Sequence, residues 1–106
     1  MKKSSQYQSN IKLASDKIDT YRKKIDAIDA KIIDLLGKRI SLILRVGSIK
    51  NSLNMPIRSV SREQKLLETL KTMAKDKKIP PALIKNIYNQ ILSSSRVLQK
   101  KTKTRV

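Results

Sequence analysis

The stretch IDTYRKKIDAIDAKIIDLLGKRISLILRVGSIKNSL, residues 18–53, decides the fold. Alternating steps of three and four from Ile18 pick out Tyr21, Ile25, Ile28, Ile32, Leu35, Arg39, Leu42, Val46, Ile49 and Leu53. This is the a/d pattern of a long helix that packs along its length on other helices. One member is a cation. Arg39 cannot lose its proton, so a buried guanidinium here requires an anion or a dense set of acceptors. The nearby acids Asp16, Asp19, Asp26, Asp29 and Asp34 all fall off the seam, which leaves a ligand as a candidate anion. A single heptad charge also serves as a register device, and the pattern alone leaves both readings open.

The helix has a start signal at Ser15, with Asp16 in the first turn, and a stop at Asn54, Met55 and Pro56. Those bounds give ~38 residues, or ~57 Å of helix. A compact chain of ~100 residues has a radius of gyration near ~13 Å, so a very long N-terminal helix cannot be covered by its own chain. A second copy is expected. Gly37 and Gly47 lie inside the helix at a cost of up to ~1 kcal/mol each, for which close approach of a backbone or ligand is one reason.

Downstream, Pro56 marks a linker, and Ser61 with Gln64 forms a capping box for a second helix bearing Leu66, Leu67, Leu70 and Met73 at core spacing. That helix is expected to end near Lys75–Lys78. Pro80 and Pro81 open a third, with Ile84, Ile87, Tyr88, Ile91 and Leu92 on one face. That face then meets Ser95 and Gln99 where apolar residues should continue. The fold class is therefore all-α, a three-helix subunit. Residues 15–99 are expected to form one helical domain, between a basic polar segment 1–14 and a basic tail 100–106, both expected to be mobile.

Composition excludes several chemistries. The chain has 106 residues, 39% of them hydrophobic, with no Cys and no His. That removes thiol nucleophiles, disulfides, the usual zinc ligands and imidazole acid–base work, and no metal or cofactor is expected. No stretch is long and apolar enough to span a membrane, and Ser4–Asn10 offers no apolar core of a signal peptide, so the cytoplasm is the default address. The formal net charge is +17. Setting aside Lys2, Lys3, Lys12, Lys100, Lys101, Lys103 and Arg105 leaves 18 bases against 8 acids, so the body is itself basic. Nucleic acid, an acidic small molecule and a solvated basic face all fit that balance.

The polar residues on apolar faces form a short list. Lys50 follows Arg39 by eleven positions, which turns it by only ~20° and moves it ~16 Å along the axis, so both can line one pocket from opposite ends. Arg62 and Glu63 open the second helix, and Ser95 and Gln99 close the third. Arg22 lies ~25 Å from Arg39 along the helix and ~100° around it, within reach only of a partner's site. Singly, each has a plainer role: Lys50 complements a helix dipole, Arg62 and Glu63 form a surface pair, Ser95 and Gln99 solvate a helix end, and Arg22 pairs with Asp26.

Taken in order, Arg22-Lys-Lys-Ile-Asp-Ala-Ile-Asp29, Leu35-Leu-Gly-Lys-Arg39, Val46-Gly-Ser-Ile-Lys50, Pro56, Arg62-Glu63 and Ser95-Arg-Val-Leu-Gln99 closely resemble the all-helical chorismate mutases. The resemblance runs ungapped over residues 18–99, and its motifs are specific as a set. It implies a three-helix subunit interlocked with a second in a homodimer, two equivalent sites, and conversion of chorismate to prephenate in the shikimate pathway toward Phe and Tyr. It implies Arg22 reaching into the neighbour's site, Arg39 and Lys50 clamping carboxylates, Glu63 holding the ring hydroxyl, Arg62 supporting the site, Ser95 binding a carboxylate and Gln99 facing the ether oxygen. Ser59 stands where the family often has Asp, which is harmless if that position acts through its backbone amide.

The implied chemistry suits the residue types. A [3,3] rearrangement breaks a C–O bond as a C–C bond forms, with no proton transfer, so the catalyst holds a flexible dianion in a compact chair and stabilises charge on the ether oxygen. Arginines match carboxylates through paired hydrogen bonds. A glutamate at Gln99 would need a proton to donate, so Gln makes the site less dependent on pH. Three alternatives stand beside this one, one of them a non-catalytic or regulatory relative. A sibling of the same fold removes pyruvate from isochorismate but is typically apolar where Glu63 stands. A basic helical nucleic-acid-binding protein fits the charge and the tail, but no recognised motif supports it and it leaves inward-facing cations unexplained.

Overall fold

The computed structural model describes residues 2–102, which form three α-helices and no strand: α1 (Lys2–Ser52), α2 (Val60–Asp76) and α3 (Pro81–Lys100). The chain is all-α. It divides into two units, residues 1–38 and 39–106. Positions 103–106 of the basic tail lie outside the described residues.

The first unit consists of α1 up to Lys38. Here the expected start of the helix needs correction: it begins at Lys2 rather than at Ser15, so residues 2–14 are its first turns. No Gly or Pro interrupts them, and a serine inside a continuing helix has no free amides to cap. The seam is bare on this chain. Ile32 is 48% exposed and Tyr21 63%, and the spacing continues upstream through Ile11 and Tyr7, also exposed.

The second unit joins the end of α1 to α2 and α3. Both α1 and α2 stop in the same way. Asn54 (φ 53°) and Lys78 (φ 57°) take the left-handed conformation just past the helix. Met55 N–H then donates to Lys50 O at 2.8 Å, and Ile79 N–H to Ala74 O at 2.9 Å, which closes orphan carbonyls of each last turn. Asparagine tolerates this conformation, whereas lysine pays a steric cost. Pro80 and Pro81 then start α3, where a missing N–H is harmless.

The start of α2 also differs from the sequence reading. Ser59, extended at φ −117° and ψ 100°, is the N-cap, and its Oγ accepts from Arg62 N–H at 3.4 Å. The Ser61–Gln64 box lies too late by two residues, because Val60 is already helical. Among the described residues the buried apolar side chains are only Ala74 and Leu92, and Ser95 and Gln99 are buried beside them at 7% and 8% exposure. Two buried apolar side chains are too few to offset the conformational entropy of ordering this chain.

These helix ends predict opposite shifts in urea unfolding. Lys78→Gly should raise stability by about 1 kcal/mol by relieving the left-handed strain. Ser59→Ala should lower it by about 1 kcal/mol through loss of the cap.

Candidate active site

The second unit holds a half-open cavity of about 200 Å³. From α1 it is lined by Arg39, Ile43, Val46 and Lys50, whose spacing of four, three and four residues is one stripe of a helix. The connecting loop adds Ile57 and Ser59, α2 adds Arg62, Glu63 and Leu66, and α3 adds Leu92, Ser95, Arg96 and Gln99. Arg39, Lys50, Ser59, Arg62, Glu63, Ser95 and Gln99 thus share one cavity. Arg22 lies in the first unit, exposed, with a carboxylate oxygen of Asp19 3.9 Å away rather than Asp26.

Hydrogen bonds hold Arg39, Lys50, Ser95 and Gln99 in place. Arg39 Nη1 donates to Ser95 Oγ at 2.6 Å, and the Ser95 hydroxyl in turn donates to Ile91 O at 2.6 Å. Ser95 therefore aims Arg39 and has no second proton to offer. Lys50 Nζ donates to Ile57 O at 3.0 Å, which pins the ammonium to the loop and leaves it two further donors. Gln99 Nε2 donates to Ile43 O at 3.0 Å. That bond fixes the amide's direction, since the flipped form would set its oxygen against a carbonyl, and the second N–H remains free.

Four cations and one carboxylate line the cavity. The carboxylate is spoken for: Arg96 Nη1 donates to both oxygens of Glu63 at 2.8 Å, and Arg58 Nε lies 3.5 Å from one of them. A surface pair of Arg62 with Glu63 does not form, and Arg62 is exposed at the rim. Among the described residues Arg39, Lys50 and Arg62 have no carboxylate within ion-pairing distance. The arrangement offers an anion two fixed donors at opposite ends, an oriented amide, and a carboxylate with lone pairs left for a hydroxyl.

Three contributors escaped the sequence reading. Arg96 follows Ser95 directly, and its partner Glu63 is far away in sequence, so no local pattern marks it. Ile43 and Ile57 act through backbone carbonyls, which side-chain identity does not reveal. Gly47 was marked as a place of close approach, and a Cβ there would stand 3.0 Å from Gln99 Cβ and 3.1 Å from its Cα. Gly37 meets nothing within 4 Å in this chain.

Comparison with known proteins bears on this site. The family model for chorismate mutase type II matches residues 21–100, a span that contains every residue lining the cavity. The chain belongs to the chorismate mutase type II family. It is 33% identical over 85 residues to a chorismate mutase of Methanocaldococcus jannaschii, covering 80% of this chain and 86% of that protein. It is 34% identical over 91 residues to a bifunctional chorismate mutase/prephenate dehydratase of Aquifex aeolicus, covering 83% of this chain and 25% of the relative. The corresponding bifunctional protein of Escherichia coli K12 is 35% identical over 78 residues, 74% of this chain and 20% of its own length. The chain thus spans a quarter or less of these two bifunctional relatives.

Gly47 carries the prediction here. Gly47→Ala should destabilise the fold by about 1 kcal/mol in thermal or urea unfolding, despite alanine's better helix propensity, because its methyl must push the backbone of Gln99 away.

Proposed function

We propose that this chain is a chorismate mutase that rearranges chorismate to prephenate for Phe and Tyr synthesis in the cytoplasm, as an interlocked homodimer. The observation that carries the reading is Arg39 and Lys50 at opposite ends of one cavity, where the only lining carboxylate among the described residues is already paired with Arg96. Family membership supplies the reaction. A neighbouring copy is supported by the bare α1 seam and by a core of two apolar side chains.

In this reading Arg39 and Lys50 grip the two carboxylates and hold the dianion in its chair, replacing solvent by donors that need not reorganise. Glu63, steadied by Arg96, accepts from the ring hydroxyl. Arg62 supports the field at the rim. Ser59 acts through its backbone and its cap on α2. Ser95 contributes by aiming Arg39, and binds a carboxylate itself only by releasing Ile91 O. The free N–H of Gln99 and a remaining donor of Lys50 face the ether oxygen as its charge grows. Arg22 of one subunit completes the other's site. No step moves a proton, so neither His nor Cys is required.

Purified protein should sediment as a dimer and convert chorismate to prephenate at neutral pH, with inhibition by a bicyclic diacid that mimics the transition state. Arg39→Ala and Lys50→Ala should keep the dimer and lose roughly 10²-fold or more in kcat/KM, on a scale of ~3 kcal/mol per lost donor. Gln99→Glu should act only on the acid side, because a carboxyl donates only when protonated: activity is present below its pKa and fades as pH rises through it. A folded dimer that releases pyruvate from isochorismate instead would move the chain to the sibling activity. Inertness toward both substrates would overturn the reading.

A further inference from the structure

Gln99 is held by three positions of α1 spaced four apart. Ile43 O accepts from its side-chain Nε2 at 3.0 Å. Gly47 lies against its Cα and Cβ, close enough that an added methyl would meet them at 3.0–3.1 Å. Asn51 Nδ2 donates to its backbone oxygen at 3.0 Å and to Thr102 O at 2.7 Å. Asn51 does not line the cavity. Its amide donates to one carbonyl in the last turn of α3 and one just past it, and it does so from a different helix. Thr102 strengthens the same corner, since its Oγ1 donates to Leu98 O at 3.2 Å and its N–H to Gln99 O at 3.2 Å.

We propose that Asn51 is a positioning residue that acts through Gln99. By clamping the final turn of α3 onto α1 it fixes the Gln99 backbone, and so fixes the height at which the side-chain amide reaches Ile43 O and turns its free N–H inward. The chemical role rests on the chorismate mutase reading, but the clamp itself does not. Helix ends fray, and a donor placed on the last turn is only as well aimed as that turn is fixed. A displacement of about 1 Å at a catalytic donor costs up to ~10²-fold in rate.

The test uses the full chain with Asn51→Leu, which removes the donor, and Asn51→Asp, which keeps the size but sets oxygens against both carbonyls. Each should lower chorismate kcat by about tenfold with KM changed less than ~2-fold. In a Gln99→Ala background the same substitutions should change kcat less than ~2-fold, because the group they act through is gone. An equal loss in both backgrounds, or no loss, overturns the proposal. In parallel, protein carrying nitrogen-15 glutamine is examined by NMR, the Gln99 side-chain signals being identified by their disappearance in Gln99→Ala. They should shift toward those of the exposed glutamines in the Asn51 variants. Unmoved signals overturn the clamp whatever the substrate, so this arm stays decisive if wild-type protein leaves chorismate unchanged. Should Asn51→Leu fail to fold, the isosteric Asn51→Asp carries both comparisons.

Discussion

The near contact of α1 and α3 at Gly47 and Gln99 is the constraint on which the site depends. Because Gly47 has no side chain, the two backbones come close enough for Gln99 to reach Ile43 O and for Arg39 to reach Ser95. Both bonds cross between helices far apart in sequence, and both are short-range. A methyl in the gap would lengthen them together. The glycine's cost in helix propensity is therefore set against polar contacts that a methyl there would strain.

That closeness creates an electrostatic problem which the site solves only in part. Cations gathered on one cavity repel one another, and in a region partly shielded from water the repulsion is larger than at an open surface. Glu63 is the available relief, yet Arg96 binds it through both oxygens and draws its charge away from Arg39 and Lys50. Neutral acceptors hold two of the other three cations, a hydroxyl for Arg39 and a loop carbonyl for Lys50, while Arg62 is exposed at the rim. No buried side-chain nitrogen or oxygen among the described residues lacks a hydrogen-bond partner, so the site is polar, satisfied and still in excess of positive charge. Such a surface gains most from a small anion, which lowers the repulsion without any donor having to move far.

The sequence made some of this legible and hid the rest for physical reasons. Arg39 stood out because it interrupts an apolar period, Lys50 because it follows Arg39 by eleven residues on nearly the same face, and Ser95 and Gln99 because they end an apolar face. Periodicity also gave three helices, since long amphipathic segments declare themselves. Helix starts were less visible: Ser15, Ser59 and Ser61 are all chemically fit to cap, and only backbone conformation selects Ser59. Arg96 and Asn51 were silent because each acts on a residue across a helix pair, and their own neighbours in sequence give no sign of it. Backbone acceptors such as Ile43 O and Ile57 O carry no residue signature at all.

The wheel of α1 in the second unit explains why Arg39 belongs at once to a hydrophobic seam and to a polar site. With Arg39 set at zero and ~100° per residue, Asn51 and Gly47 stand near +120° and +80°, facing α3. Ile43, Lys50, Arg39 and Val46 occupy the arc from about +40° to −20°, facing the cavity. Leu42 and Ile49 follow at about −60° and −80°, and both are exposed on this chain, as is Leu53 just past the helix end. Arg39 therefore sits between the surface that packs on α3 and an apolar surface with nothing on it. A partner covering Leu42, Ile49 and Leu53 would lie beside the cavity and become part of its wall. Under the proposed dimer that wall is a neighbouring α1, which gives a physical reason why burying the seam and completing the anion site would be one event.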